Sequence, residues 1–258
     1  MEENKGKNNI DTYARHRRSM AKDFRDFADG DYISARVLYR NNCRDQFLYI
    51  ACNALEKYLK SIILYNGIKY GRLANSGVHD LSLLYKKCKT ELKNFCLSDE
   101  SESFIEKIRN YNNTRYPDFP FRAEGDYLLY LDKIVWELRF YAQESDVSSR
   151  ITKEDIENLK SRRGKNKGNR ISGGYLERVL KNSNNKHVLE RKNLVWSNFY
   201  FGYRKKQTIK FQRVWWAKNN HMFTGGEKWQ LEVYNAIKEY IPVSAEVKKY
   251  LIKIQDKN

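Results

Sequence analysis

The chain has 258 residues, a net charge of +17, and 41% hydrophobic and 14% aromatic residues. This composition is globular, leaves room for two modest domains and excludes a chain that is disordered throughout. No stretch approaches the roughly 18 apolar residues of a membrane span, and the polar start MEENKGKNNID has no apolar signal core. We therefore expect a cytoplasmic protein with no membrane partner.

The positive charge is concentrated in the second half of the sequence. Residues 1–145 hold 24 Lys and Arg against 21 Asp and Glu, a balance of +3, whereas residues 146–258 hold 25 against 11, a balance of +14. A positive field attracts polyanions, of which nucleic acid is the commonest in a cytoplasm. The alternative is a basic, solvated surface without a ligand. The four Cys and four His residues show no zinc-ligand spacing, so we expect no metal or other cofactor.

The first 145 residues predict an all-α bundle of four or five helices. Residues 1–27 form a polar, basic N-terminal segment, although part of it is compatible with a short helix. A first bundle helix is predicted from residue 29 to residue 41, with Asp29 and Asp31 in the first turn, where the helix dipole favours acids.

Residues 46–65 are apolar over most of the circumference of a helix, which predicts a helix buried between other helices. Three charged residues interrupt it in the middle. Glu56 and Lys60 either form an i,i+4 ion pair on one wet face, which we favour, or lie at the rim of a functional groove.

Three further helices follow in this half of the sequence. One is predicted to start at His79-Asp80 and another at Ser98, and the clearest amphipathic pattern of all runs from residue 125 to residue 144. Residues 109–121, before that last helix, are rich in helix breakers and contain Pro117 and Pro120.

Four short sequence motifs occur in a characteristic order in the first half of the chain. They are a helix with Ala35, the run Ala-Leu-Glu-Lys-Tyr-Leu-Lys at 54–60, His-Asp-Leu-x-x-Leu at 79–84, and Tyr-x-x-x-Arg-Tyr-Pro-Asp at 111–118. This set resembles the HEPN family of bacterial helical bundles over roughly residues 28–145. The resemblance implies a four-helix core, a homodimer, and a functional groove where the last two helices of each subunit meet. Many such proteins are metal-independent RNases of toxin–antitoxin or phage-defence systems, and others bind nucleotides or have lost activity.

RNase members of the family carry an Arg, then four to six residues, then a His, often followed by one residue and a Tyr. Arg109 and Tyr116 match this motif, which makes them the candidate catalytic residues, but Thr114 stands where the His is expected. A threonine cannot exchange a proton near neutral pH as an imidazole does. Arg72 and His79 are also six residues apart, but we interpret them as a coincidence because their loop lies at the wrong place in the bundle.

The retained groups near this motif still have physical uses. Arg109 and Arg115 can each bind phosphate oxygens, Tyr111 and Tyr116 can stack on bases, and Asp118 can position an arginine. The alternative is an internal cap, in which the arginines bind helix-end carbonyls and the tyrosines pack under the proline turn. The family also suggests Tyr116 as a target for nucleotide transfer by a partner enzyme.

Residues 146–258 predict a small basic α+β domain. A short helix, started by the capping box Thr152-Lys-Glu-Asp155, leads into a flexible basic loop at 160–170. The loop is either a linker or an arm that binds polyphosphate; its cations are Lys160, Arg162, Arg163, Lys165, Lys167 and Arg170. A β-hairpin is predicted between residues 194 and 216, with a basic turn of Arg204, Lys205 and Lys206, and two helices follow. Mixed aromatic and basic residues suit single-stranded nucleic acid, although most of these aromatics belong to a core.

We therefore predict a HEPN-type protein with a degenerate RNase motif that binds RNA or single-stranded DNA, with RNA favoured. One alternative is an active RNase that uses a non-standard site. Another is a subunit that binds a nucleotide, or that regulates a partner nucleotidyltransferase or another component of a defence system.

Overall fold

The computed structural model describes eight parts of the chain: residues 2–69, 80–109, 121–143, 171, 173–202, 214–218, 223–237 and 245–255. They are mainly helical and fall into two compact units, one within Met1–Asn112 and Tyr127–Phe211, and another within Asn113–Asp126 and Gln212–Asn258. No helix in these parts is both long enough and apolar enough to cross a bilayer.

The first unit is built on two long antiparallel helices, α1 (Glu2–Arg40) and α2 (Arg44–Tyr65). Asn42 adopts a left-handed φ of 62° in the short turn between them, a conformation that Asn tolerates better than most residues. Helix α2 is buried over most of its circumference, as the sequence predicts; its fully buried apolar side chains are Phe47, Leu48, Ala51, Ala54, Leu55, Tyr58, Leu59 and Ile62.

Helix α1 differs from its prediction because it starts at Glu2 and not near Asp29. The N-terminal segment of residues 1–27 is therefore helical from Glu2 and continuous with the bundle. Asp29 and Asp31 lie in the middle of α1 rather than in a first turn, so the helix dipole does not explain them. Asp31 instead pairs with Lys57 of α2, and Asp29 is fully buried.

Three shorter helices complete the bundle: α3 (Leu81–Glu91), α4 (Asp99–Ile108) and α5 (Tyr127–Tyr141). Asp80 caps α3 by accepting hydrogen bonds from the backbone N–H groups of Ser82 and Leu83. Ser98 caps α4 because its hydroxyl oxygen accepts a hydrogen bond from the backbone N–H of Ser101. The predicted apolar stripe of α5 is confirmed as buried; it consists of Tyr127, Leu131, Ile134, Val135, Leu138 and Tyr141.

Contacts between the helices bring several of their ends together. Cys52 Sγ lies 2.9 Å from the carbonyl oxygen of Ile108, so the end of α4 meets the first half of α2. Arg109 Nη1 donates to Ser82 Oγ at 3.3 Å, so the start of α3 lies at the same place. We call this the upper end of the bundle: the C-terminal ends of α1 and α4 and the N-terminal ends of α2 and α3.

Residues beyond the bundle also pack on it. Helices α6 (Tyr175–Lys181) and α7 (Val188–Val195), joined by a short 3-10 turn at Ser183–Asn185, both contact α1 and belong to the first unit. The structure therefore does not support a small α+β domain that begins at residue 146, because residues 173–202 pack on the bundle.

The second unit contains a two-stranded sheet and two helices. Strand β1 (Phe121–Gly125) pairs antiparallel with β2 (Val214–Lys218), with Phe121 opposite Lys218. Helices α8 (Glu227–Ile237) and α9 (Ala245–Gln255) share a small core; its members are Val247, Leu251 and Ile254, with Phe223, Leu231, Val233 and Tyr234 packed against them. The apolar spacing predicts Val247, Leu251 and Ile254 for α9, and all three are buried. For α8 it predicts Trp229 and Val233, of which Val233 packs on the core while Trp229 is 38% exposed.

The predicted hairpin between residues 194 and 216 is wrong. Leu194 and Val195 end helix α7, and residues 196–202 form turns, while β2 pairs with β1 from a distant part of the sequence. Aromatic and β-branched residues favour strands, but here their burial against the bundle decides the structure of the first segment. Phe201, for example, packs its ring 5.4 Å from Trp136 of α5.

A buried cluster around Arg36 attaches residues 188–202 to the bundle. Arg36 is fully buried in α1 and forms an ion pair with Asp132 of α5. Its remaining N–H groups donate to the carbonyl oxygens of Asn193, at 3.0 Å, and Trp196. Asn198 completes the cluster by donating to Tyr32 Oη at 2.8 Å, while Tyr32 donates to Asp132 at 2.6 Å.

A second buried cluster, around Arg139 of α5, attaches helix α6. Arg139 forms an ion pair with Asp29 of α1 and donates to both carboxylate oxygens of Glu177, at 2.8 and 2.6 Å. Burial raises the pKa of Asp29, and the guanidinium of Arg139 opposes that rise. Burial alone would lower the pKa of Arg139, but the two carboxylates raise it well above its usual value, so Arg139 stays charged.

We predict that Arg36→Met destabilises the protein by about 3–5 kcal/mol, because Asp132 is left as a buried charge without its cation. The matched control is Arg178→Met on α6, whose ion pair with Asp26 is half-exposed and is worth less than about 1 kcal/mol. Urea unfolding of both variants measures the two changes. Equal losses of unfolding free energy in the two variants would show that the Arg36 cluster does not stabilise the packing of residues 188–202 on the bundle.

Candidate nucleic-acid interface

The candidate site starts from Arg109, which directly follows helix α4. Its backbone N–H donates to the carbonyl oxygen of Ile105, and its side chain is 47% exposed. The guanidinium forms an ion pair with Glu106 Oε2 at 2.9 Å and donates to Ser82 Oγ at 3.3 Å. Both contacts are at the surface, so the guanidinium can exchange them for phosphate oxygens at little cost.

Most of the other predicted site residues lie outside the described parts of the chain. In the motif they are Tyr111, Thr114, Arg115, Tyr116 and Asp118. In the second half they are the loop cations Lys160, Arg162, Arg163, Lys165, Lys167 and Arg170, and the turn cations Arg204, Lys205 and Lys206. Their roles stay predictions.

Glu56 and Lys60 form the favoured i,i+4 ion pair, with Lys60 Nζ 2.6 Å from Glu56 Oε1. The pair is not on a wet face, because Glu56 is buried at 7% exposure. Glu56 follows Cys52 by one helical turn on α2, and Cys52 contacts Ile108 at the end of α4. Glu56 therefore lies about 6 Å, and Lys60 about 12 Å, along α2 from the level of that contact.

Cys52, the thiol at the upper end of the bundle, is unsuited to nucleophilic chemistry. It is fully buried and within hydrogen-bond distance of the Ile108 carbonyl oxygen. Burial raises the pKa of this thiol far above neutrality, and the nearby charge of Glu56 adds to the rise. The thiol therefore stays protonated, and only a thiolate attacks efficiently. In the described residues no group of three His, Cys, Asp or Glu side chains could hold a metal ion.

Sequence reasoning missed the charged residues that the bundle buries. Asp29 and Arg36 lie on the same side of α1 as the buried Tyr32, and Asp132 and Arg139 lie within the most apolar helix of the chain. The available signal was the seven-residue spacing within each pair, which places both members on one helix face. Asp29 and Arg36 of α1 therefore pair with Arg139 and Asp132 of α5, respectively.

We predict that Arg109→Ala changes the unfolding free energy by less than about 1 kcal/mol, because an exposed ion pair contributes little to stability. Thermal or urea unfolding checks this, with Arg36→Met as the strongly destabilised reference. A large loss of stability would show that Arg109 has a structural role and would remove it as a functional candidate.

The family model of the HEPN domain matches residues 21–159, which is more than half of the chain and includes α2 to α5, Arg109 and the motif that follows it. Neither the curated proteins nor the solved structures gave a match. HEPN domains are associated, at the level of the family, with nucleic-acid-related and RNase-like functions. The chain belongs to the HEPN domain family, as the four sequence motifs at residues 28–145 indicate.

Proposed function

We propose that this HEPN protein binds nucleic acid, with RNA favoured over DNA, and does not cleave it. The observation that supports this most is the position of Arg109. Arg109 directly follows α4 of the bundle, and its guanidinium is exposed. In the motif that follows, Thr114 stands in place of the expected histidine. A phosphate-binding group is thus kept, and the group that would exchange a proton is missing.

The charge of the second half of the chain supports the same function. The predicted basic stretches at 160–170 and 204–206 flank, in the sequence, the residues that pack on the bundle. Their phosphate contacts would then add to that of Arg109. A homodimer, a bacterial defence or toxin–antitoxin context, and a cytoplasmic location are parts of this proposal that derive from the family.

The proposal predicts a salt-dependent affinity for single-stranded RNA. Each neutralised phosphate contributes about −0.7 to the slope of log K against log salt, so about five contacts would give a slope of about −3.5. Fluorescence anisotropy with a labelled RNA and with a single-stranded DNA of the same sequence measures both the slope and the preference. Binding that is absent, or that is independent of salt, would contradict the proposal.

A second candidate function, RNA cleavage at a non-standard site, is favoured by one contact. Arg109 donates to Ser82 in the first turn of α3, and in the sequence His79 directly precedes the residue that caps α3. The start of α3 thus lies beside Arg109, which supports His79 as a partner of Arg109 in this second candidate. His79 itself lies outside the described residues.

This candidate predicts metal-independent cleavage that Arg109→Ala and His79→Ala each reduce at least about 100-fold. That is the usual contribution of a general acid–base for the histidine and of a donor that stabilises developing charge for the arginine. His221→Ala, which replaces a histidine of the second half, serves as the matched control and should leave the rate unchanged. Denaturing gels of labelled RNA in the presence of a chelator measure the rate. Intact RNA after prolonged incubation with the unmodified protein would eliminate cleavage and leave binding as the function.

A further inference from the structure

The positive charge of the second half of the sequence belongs mostly to the first unit. Residues 146–211 hold 17 Lys and Arg against 6 Asp and Glu, a balance of +11, whereas residues 212–258 hold 8 against 5, a balance of +3. The described part of the first range, residues 173–202, is attached to the bundle through Arg36 and Arg139. Residues 173–202 hold 5 Lys and Arg against 2 Asp and Glu, a balance of +3, so the nearly neutral bundle gains positive charge from a later segment.

Helix α7 places part of this charge beside the end of α1. Arg40, the last residue of α1, donates from Nη1 to Asn193 Oδ1 at 3.3 Å, and Asn193 also accepts from Arg36 through its backbone carbonyl. We call Arg40, Arg44, Arg191 and Lys192 the α1–α7 basic surface. Three of these residues are exposed and Arg44 is half-buried.

The cations of this surface are weakly neutralised by the protein itself. Arg40, Arg191 and Lys192 form no ion pair with any residue that the structure describes. The carboxylates nearest to them in the sequence are Asp45, which is half-buried, and Glu190, which lies 3.6 Å from His187. The surface therefore has a net positive charge for an anion to bind.

Aromatic rings position two of the guanidinium groups. The guanidinium of Arg40 lies 5.4 Å from the centroid of the Trp196 ring, and that of Arg44 lies 3.9 Å from the centroid of the Tyr39 ring. When the face of a guanidinium contacts an aromatic ring, its N–H groups still point outward in the guanidinium plane. They can therefore donate to phosphate oxygens at the edge of the guanidinium. Trp196 is half-buried and adds a ring on which a base can stack.

The same surface lies at the upper end of the bundle, where Arg109 lies. Arg44 begins α2, and Cys52, which contacts the residue before Arg109, comes eight residues later. Eight residues of α-helix span about 12 Å. Along the helix axis, this separation is within the length of a single strand of a few nucleotides, and single-strand binding proteins typically have site sizes of about 4–16 nucleotides.

We propose that the α1–α7 basic surface binds the phosphodiester backbone of a single-stranded nucleic acid and extends the Arg109 site across the upper end of the bundle. This inference rests on the proposed function and identifies a binding surface for it. The surface depends on α7, which lies beyond the matched HEPN region, so this chain adds it to the family domain.

The test compares two double variants that lose the same charge. Arg40→Gln/Lys192→Gln removes two cations of the surface. Arg18→Gln/Lys93→Gln removes two exposed cations near the opposite end of the bundle, one on the first half of α1 and one just after α3. We expect the first variant to bind labelled single-stranded RNA about fivefold or more weakly and to lose about 1.4 from the salt slope, because it loses two phosphate contacts. The control should lose neither.

Each outcome has a definite consequence. Equal affinities for the two double variants would overturn the inference while the proposed function stands. No binding by the unmodified protein would overturn the proposed function, and the inference with it. Equal losses with RNA and with DNA of the same sequence would support the surface and remove the preference for RNA. If the double variant unfolds, the single change Lys192→Glu, with Lys93→Glu as its control, decides the question by the same assay.

Discussion

Arg36 and Arg139 are positive charges inside a helical bundle, and the structure depends on supplying both with partners. Placing a guanidinium in an apolar interior costs several kcal/mol unless its charge is paired and its N–H groups are hydrogen-bonded. Each arginine receives one carboxylate from the neighbouring long helix, Asp132 or Asp29. The remaining donors of Arg36 bind the carbonyl oxygens of Asn193 and Trp196, and an Nη of Arg139 binds the carboxylate of Glu177. Neither cluster is complete without residues that lie beyond the family domain.

This requirement explains how the segment around α6 and α7 is held. Leu176 and Val179 of α6 and Leu194 of α7 are fully buried, but they form a small apolar area for a segment of this length. The two arginine clusters add directional contacts at defined points, which determine where each helix lies on α1. Asn198 contributes further by accepting from the backbone N–H groups of Tyr200 and Phe201, at 3.0 and 2.9 Å, which fixes the turn after α7. The basic side chains of α7 thereby gain a defined position relative to Arg40.

The helices of the bundle were predictable because their apolar residues recur at helical spacing and their caps are local. Asp80 and Ser98 cap helices that sequence alone placed within a residue or two. The attachment of α6 and α7 was not predictable, because it depends on two buried arginines whose partners lie between 38 and 160 residues away in the sequence. The strand pairing of Phe121–Gly125 with Val214–Lys218 was missed for the same reason. At the candidate site, sequence placed Arg109 at a helix end and left open whether it binds phosphate or caps the helix. It did not predict the contact with α3, since that contact depends on the packing of two helices.

The hydrogen bonds that Arg36 makes to backbone carbonyls have a consequence for evolution within the family. A HEPN protein without an equivalent of α6 and α7 would have a guanidinium at this position with unsatisfied donors, so selection should favour an apolar residue there. Arg36 and Asp132 should then be retained or lost together with the downstream helices. Across homologues, a basic residue at position 36 would thus mark the chains that carry the additional segment.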